Sequence, residues 1–133
     1  MNKEQINIGD HVLVQYNSGE YICTYEEDRG NFALVKVLAV LKHPDQGDLH
    51  NPGQVEGVAF FERKALAHRE LINARKRMMS PYDGVVPAYD DSLKKAYYDL
   101  KEKLEQEDTP FNKLSLDRLE TVYEHYYKKT NFK

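Results

Sequence analysis

The sequence predicts a mainly β fold with helices at its end: a small, strongly bent antiparallel β-barrel followed by an antiparallel helical hairpin. Two observations predict the barrel and the hairpin. Runs of alternating or continuous apolar residues, separated by turns that contain glycine, fill the first half of the chain. A break rich in proline and glycine follows at 78–90, and beyond it apolar residues recur at helical spacing.

The strands are predicted from this alternation. The predicted strands are 11–16, 20–27, 32–41, 54–62 and 63–71. Asn17-Ser18-Gly19 joins the first two as a β-hairpin. The third run is apolar at nearly every position, so it must be covered on both faces or curl inward. Gly57 is expected to bend the fourth strand at a bulge. The composition of 63–71 suits a helix equally, and a closing strand is the preferred interpretation.

Two helices are predicted after the break. The first begins near Ser92, and its apolar stripe consists of Leu93, Ala96, Tyr97, Leu100 and Leu104. The second has Thr109 as N-cap and starts at Pro110 or after Ser115, ending near Lys129. Its apolar stripe is Leu116, Leu119, Tyr123 and Tyr126. The predicted organisation is a barrel over 1–80, a linker over 81–91, and a hairpin over 92–133 that packs on the barrel.

Composition restricts the class of protein. The chain has 133 residues, as expected for one domain, and its single cysteine, Cys23, cannot form an intramolecular disulfide. A reducing, cytoplasmic setting is therefore expected. The amino terminus is polar, and no run approaches the roughly 18 apolar residues of a membrane span. No nucleophile motif and no glycine-rich phosphate loop is present, so neither an enzyme nor a cofactor is expected.

The stretch "HPDQGDLHNP" over 43–52 lies between two apolar runs. His43, Asp45, Asp48 and His50 are all metal-ligand types, which would suit a metal-dependent hydrolase. Their spacing, however, matches no helical metal motif. Turn-forming prolines and glycines throughout the stretch favour an ordered loop, and long ordered loops between strands are commonly binding elements.

Charge and tyrosine content suggest two surfaces. Residues 54–80 are basic, with Arg63, Lys64, Arg69, Arg75, Lys76 and Arg77 against Glu56, Glu62 and Glu70. This segment could meet an acidic partner or a phosphate backbone, although the net charge of −3 argues against nucleic acid. Five tyrosines lie on the two helices. Adjacent tyrosines cannot all face inward, so Tyr98 or Tyr127 should be partly exposed, either at an interface or over the barrel wall.

Several stretches together resemble one family. "IGDHVLVQYNSGEYI", "LVKVLAVLKHPDQGDLHNP", "FFERKALAHRE" and "PYDGVVPAY" are similar to kinase-associated protein B of endospore-forming bacteria. The resemblance implies an SH3-like barrel with a helical extension. It also implies a role in the pathway by which a sporulation sensor histidine kinase feeds the phosphorelay, and it brings no catalytic residues. Members are sometimes labelled lipoproteins. Here Glu20-Tyr21-Ile22 precede Cys23 without an apolar signal region, so lipidation is not expected.

The leading hypothesis is a regulatory, non-enzymatic adaptor that binds a sporulation histidine kinase or a phosphorelay component, in the cytoplasm at or near a membrane-bound kinase. The candidate partner-binding residues are His43, Gln46, Asp48, His50, Arg63, Lys64, Arg69, Tyr98 and Tyr127. The alternative is an SH3-like nucleic-acid-binding module, which affinity falling steeply with salt would reveal. A metal-dependent hydrolase is the third hypothesis.

Overall fold

The first three apolar runs form the centre of one antiparallel sheet. A computed structural model describes residues 6–47, 54–57 and 60–128. The strands are β1 (His11–Tyr16), β2 (Gly19–Arg29), β3 (Phe32–Lys42), β4 (Leu71–Arg75) and β5 (Met79–Pro81), with a 3-10 turn at Lys76–Met78. Their order is β4-β3-β2-β1-β5. The last strand thus returns to pair with the first, and a 3-10 turn separates the last two strands, as in an SH3-like barrel.

The sheet bends because β2 and β3 do not pair in one continuous register. The register shifts between Glu20 and Tyr21, between Ile22 and Cys23, and between Tyr25 and Glu27. Each such irregularity kinks a strand and increases its twist. Alternate side chains of the curled sheet are buried, among them Val12, Val14, Cys23, Val35 and Val37. The third strand, predicted either to be covered on both faces or to curl inward, has all its apolar residues except Leu41 at least partly covered.

Two helices follow the sheet: α1 (Tyr89–Glu105) and α2 (Pro110–Val122). The predicted stripe of α1 is buried, and it packs into the same apolar cluster as the sheet. Ser92 ties α1 to β3, since its hydroxyl accepts from Val40 N at 2.9 Å and donates to Tyr89 O at 2.8 Å. Thr109 caps α2 by accepting from Asn112 N at 3.0 Å, so this helix starts at Pro110.

The prediction of strands at 54–62 and 63–71 is wrong. The described parts of 54–70 contain no strand, and Gly57 lies in an exposed turn at φ +72° rather than at a strand bulge. Strand β4 starts only at Leu71 and has just two inward apolar side chains, Ile72 and Ala74. Before β4, the Phe60 ring faces α2: its centroid lies 5.6 Å from that of the Phe111 ring, which it meets edge to face.

The end of the second helix changes its pitch. Residues Tyr123–Tyr127 form a π-helical turn, in which Lys128 N donates to Tyr123 O, five residues back, at 2.9 Å. A π turn inserts one extra residue relative to α-helical pitch. Tyr127 therefore occupies the inward position that the sequence periodicity assigned to Tyr126. Tyr127 is 4% exposed and Tyr126 is 46% exposed, so the predicted stripe is wrong at this one turn.

Candidate functional site

We call the long chain segment between β3 and β4, residues 43–70, the β3–β4 connection. Its described residues form no strand, and hydrogen bonds from side chains hold much of their backbone in place. Gln46 joins its two ends. The Gln46 amide oxygen accepts from Arg63 N at 2.8 Å, and the amide nitrogen donates to Arg63 O at 2.9 Å. One side-chain amide thus takes the place of a strand partner for Arg63. Gln46 is 4% exposed, and it positions backbone rather than presenting a surface.

His43 and Tyr127 form a second fastening inside the molecule. The Pro44 carbonyl can only accept, so Nδ1 of His43 must donate to it across 2.9 Å. In the neutral ring Nε2 is then an acceptor, and the Tyr127 hydroxyl donates to it across 2.8 Å. The same hydroxyl accepts from Ala65 N at 3.0 Å. The Tyr127 hydroxyl thereby links the π turn to both the beginning and the later part of the β3–β4 connection.

Burial keeps His43 neutral. The imidazole is fully buried, and this desolvation lowers its pKa from 6.5 to about 4, outweighing the hydrogen bond to Pro44, which favours the charged form. The rings of Tyr97 and Tyr127 each meet it edge to face, with centroids 5.9 Å away. Desolvation likewise raises the pKa of the Tyr127 hydroxyl. Both groups hold the protonation states that the hydrogen-bond chain requires.

Two further tyrosines hold the later part of the β3–β4 connection. The Tyr21 hydroxyl accepts from Leu66 N at 3.3 Å, and burial raises its pKa to about 12. The Tyr89 hydroxyl donates to Leu66 O, and the Tyr89 ring stacks on His68 with centroids 5.3 Å apart. Both backbone groups of Leu66 therefore bond to tyrosine hydroxyls, one from β2 and one from α1.

Gly47 allows the first turn of the connection to lie against an aromatic ring. Its φ is +104°, and a Cβ at this position would lie 3.0 Å from the Phe60 ring. Gly47 N donates to Phe61 O, and Arg63 Nε donates to Gly47 O, both at 2.9 Å. A side chain here would strain the backbone and push Phe60 away.

The β3–β4 connection and the π turn carry two exposed ring–cation pairs at neighbouring chain positions, which we group as the aromatic–cation patch. It consists of Phe61, Glu62, Arg63, Lys64, His125 and Tyr126. Phe61 is 55% exposed, with the Arg63 guanidinium 5.8 Å from its ring centroid. Lys64 Nζ lies 5.4 Å from the centroid of the Tyr126 ring, and His125 Nδ1 lies 3.6 Å from a Glu62 carboxylate oxygen. Exposed aromatic rings beside cations are typical of protein interfaces.

The structure separates the candidate partner-binding residues into groups. His43, Gln46 and Tyr127 are interior, so the expectation that they form a contact surface is corrected to a role in holding that surface's backbone. Arg63 and Lys64 belong to the aromatic–cation patch. Tyr126 was assigned to the buried stripe of the second helix, so its place on the surface was not predicted.

The remaining candidates lie elsewhere. Tyr98 is 43% exposed on α1, which fulfils the expectation that Tyr98 or Tyr127 is partly exposed. Arg69 occupies a tight turn at φ +71° just before β4, where its backbone N donates to Val37 O at 2.7 Å. Asp48 and His50 lie outside the described residues, so their predicted role stays a prediction.

His43, one of the four candidate ligands of a metal-dependent hydrolase, is not available to bind a metal ion. Both ring nitrogens of His43 are engaged, by Pro44 O and by the Tyr127 hydroxyl, so neither points to a metal ion. Over 6–47, 54–57 and 60–128, no three His, Cys, Asp or Glu side chains gather in a way that could hold one. Within the same ranges no helix has the length and apolar character needed to cross a membrane.

The fold and the site define a class: a small SH3-like barrel with a helical hairpin. Its buried polar residues hold a long loop in place, and its exposed rings and cations lie on that loop and on the end of the hairpin. The chain belongs to the family described as kinase associated protein B, whose model matches residues 16–127. It is 42% identical over 114 residues to kinase-associated lipoprotein B of Bacillus subtilis (strain 168), covering 86% of this chain and 89% of that protein.

The fold is shared with a solved relative. The crystal structure of kinase-associated protein B from Bacillus cereus superposes with a TM-score of 0.78 at 35% identity, covering 92% of this chain and 98% of that one. The names of both relatives describe association with a kinase rather than a reaction. The word lipoprotein in one name does not fit Cys23 as an acylation site, because the Cys23 thiol is fully buried in β2.

Proposed function

We propose that this chain is a non-enzymatic adaptor that binds a sporulation histidine kinase, or another component of the phosphorelay, through the aromatic–cation patch. The observation that carries the proposal is the exposure of Phe61 and Tyr126, each beside a cation, on backbone that Gln46 and Tyr127 hold in place. A prefixed surface binds with less loss of conformational entropy than a mobile loop. The adaptor would act in the cytoplasm, beside a membrane-bound kinase.

The proposed mechanism is a shift in the conformational equilibrium of the kinase. An adaptor changes that equilibrium only by the difference between its affinities for two states of its partner. The patch supplies the apolar contact through its two rings, while Arg63 and Lys64 favour a partner surface that carries carboxylates. The relatives' names, which associate them with a kinase, agree with this choice of partner.

Surface plasmon resonance with the purified cytoplasmic portions of the organism's sporulation kinases tests the proposal. One kinase should bind the wild type. The double variant Phe61→Ser/Tyr126→Ser should bind that kinase at least about tenfold more weakly, as expected for interface anchors. Ile8→Ser/Val85→Ser is the matched control, because it removes two exposed apolar side chains outside the patch and outside the candidate residues. Equal binding of both variants would contradict the proposal. Binding only to oligonucleotides, with a steep salt dependence, would favour the nucleic-acid alternative.

A further inference from the structure

A second concave surface lies away from the aromatic–cation patch, where the turn between β1 and β2 faces the 3-10 turn Lys76–Met78. Three shallow clefts meet there, and Gln15 and Met78 line all three. The largest encloses about 430 Å³. None of their lining residues belongs to the patch. We call the combined concavity the Met78 groove; three adjoining clefts offer room for successive side chains of an extended chain.

The groove has an apolar floor. Met78 is 39% exposed, although it is a large apolar side chain on a three-residue turn. Tyr16 and Phe32, both partly buried, line the largest cleft beside it. A flexible thioether adapts its shape to different apolar side chains. This floor offers a site for one aliphatic or aromatic side chain of a bound segment.

The groove is also cationic at the end where the rings lie. The Arg75 guanidinium lies 5.0 Å from the centroid of the Phe32 ring, and exposed Arg77 lines the same cleft. Across the described part of the chain, neither arginine forms an ion pair, whereas nearby Arg29 and Lys76 pair with Glu27 and Asp28 at 3.0 Å and 2.5 Å. The two arginines of the groove therefore offer positive charge that the barrel's own carboxylates do not neutralise.

We propose that the Met78 groove binds an acidic, extended peptide segment of a partner protein, in which a carboxylate lies next to an aliphatic or aromatic side chain. The carboxylate meets Arg75 and Arg77, and its apolar neighbour packs on Met78. A nucleic-acid backbone fits less well, because Glu20 lines the two smaller clefts and the chain carries a net charge of −3. The groove is thus a second docking surface, separate from the patch proposed above.

Selection from a phage-displayed random peptide library against the wild-type protein tests this assignment. The selected peptides should share a carboxylate beside an apolar residue. In fluorescence anisotropy, a selected peptide should lose about tenfold or more in affinity for Arg77→Glu and for Met78→Ser, both exposed positions that the fold tolerates. A version of the peptide with amides in place of carboxylates should bind as weakly. Lys64→Glu, the same charge reversal on the patch, should bind like the wild type.

Several results would overturn the assignment. Selected peptides without carboxylates, or no enrichment at all, would remove the acidic partner. Loss of affinity with Lys64→Glu alone would place peptide binding on the patch and leave the groove without a role. Binding of a single-stranded oligonucleotide that needs Arg77, without any peptide binding, would replace the peptide with nucleic acid. Failure of kinase binding by the patch variants leaves this test unaffected, because it uses other residues and another probe.

Discussion

The sheet and the β3–β4 connection achieve order in opposite ways. In the sheet, each strand meets its neighbour through a backbone ladder, and alternate side chains fill the core. In the connection, backbone groups between Arg63 and Leu66 bond to side chains, one from Gln46 of the same segment and the others from tyrosines of β2 and the π turn. A ladder tolerates exchange of one apolar residue for another. A peptide group that bonds to a single side-chain hydroxyl or amide does not tolerate the loss of that group. Single substitutions of such side chains should therefore disturb the connection more than the sheet.

The sheet's interior should be the better protected region chemically. Cys23 is fully buried, and burial raises the pKa of its thiol to about 12. A thiol reagent should therefore label the native protein at least about a thousandfold more slowly than the unfolded protein, since stable domains populate the unfolded state below that level. Labelling with a disulfide reagent, with and without urea, measures the ratio. Rapid labelling of the native protein would place Cys23 in a mobile or exposed setting and reopen the question of its acylation.

Removing the Tyr127 hydroxyl should be the most damaging single change to the connection. Tyr127→Phe leaves Ala65 N and His43 Nε2 without partners in a buried setting. At about 1–3 kcal/mol for each such group, the variant should lose on the order of 4 kcal/mol of unfolding free energy. Urea denaturation measures the loss. Tyr126→Phe, one residue earlier and 46% exposed, is the control and should match the wild type. Equal stability of both variants would show that the hydroxyl is not needed.

Acid should weaken the same fastening. The pKa of His43 falls from 6.5 to about 4 on folding, because burial penalises the charged ring. Below pH 6.5 the unfolded chain takes up a proton that the folded chain refuses until about pH 4. Stability contributed by the neutral ring is therefore complete above pH 6.5 and is lost as the pH falls toward 4, by up to about 3 kcal/mol.

The contribution of His43 is isolated by comparison with His43→Gln. Urea denaturation across pH 4 to 7 should give a steeper acid loss for the wild type than for the variant. Carboxylates and the other histidines titrate in both proteins, so the difference between the two curves reports His43. Parallel curves would mean that the imidazole is protonated in the folded protein at the same pH as in the unfolded chain.

Gln46 should have a smaller and more local effect. Gln46→Met keeps the side-chain volume but removes both hydrogen bonds to the Arg63 backbone, a loss on the order of 2 kcal/mol. Trypsin should then cut faster after Arg63 and Lys64, while cleavage elsewhere stays slow. Gln54→Met is the matched control, because Gln54 is an exposed glutamine of the same connection. Unchanged cleavage in the Gln46 variant would show that other contacts hold Arg63.

Periodicity predicted the regions that ladders and helices organise. Alternation indicated β1 and β2, the continuous apolar run indicated β3, and Thr109-Pro110 was one of two predicted starts of α2, the one that the structure has. These signals are local, since each element contains its own pattern. The same reasoning failed for 54–71, because apolar residues such as Phe60 and Leu66 pack against helices and tyrosines in an irregular segment, where no fixed period applies.

The site was predictable only in part. His43 and Gln46 were singled out by their unusual loop, but the hydrogen bond that fixes His43 comes from Tyr127, 84 residues later. No local pattern predicts that pairing. The π turn at Tyr123–Tyr127 also has no sequence signature of its own, and it exchanged the inward and outward tyrosines. Arg63 and Lys64 were found by charge, while the exposure of Tyr126 was visible only in the structure.

The most direct test of the account is amide hydrogen exchange in wild type and Tyr127→Phe, read at Ala65 and at the amides of the β2–β3 ladder. Ala65 N bonds to the Tyr127 hydroxyl, whereas the β2–β3 ladder lies wholly within the sheet. At a pH where both variants are folded, the ladder amides should lose protection only as far as the unfolding free energy falls, and Ala65 should become much less protected than they are. An Ala65 amide that stays as protected as the ladder amides in Tyr127→Phe would contradict the claim that one distant hydroxyl holds this part of the connection.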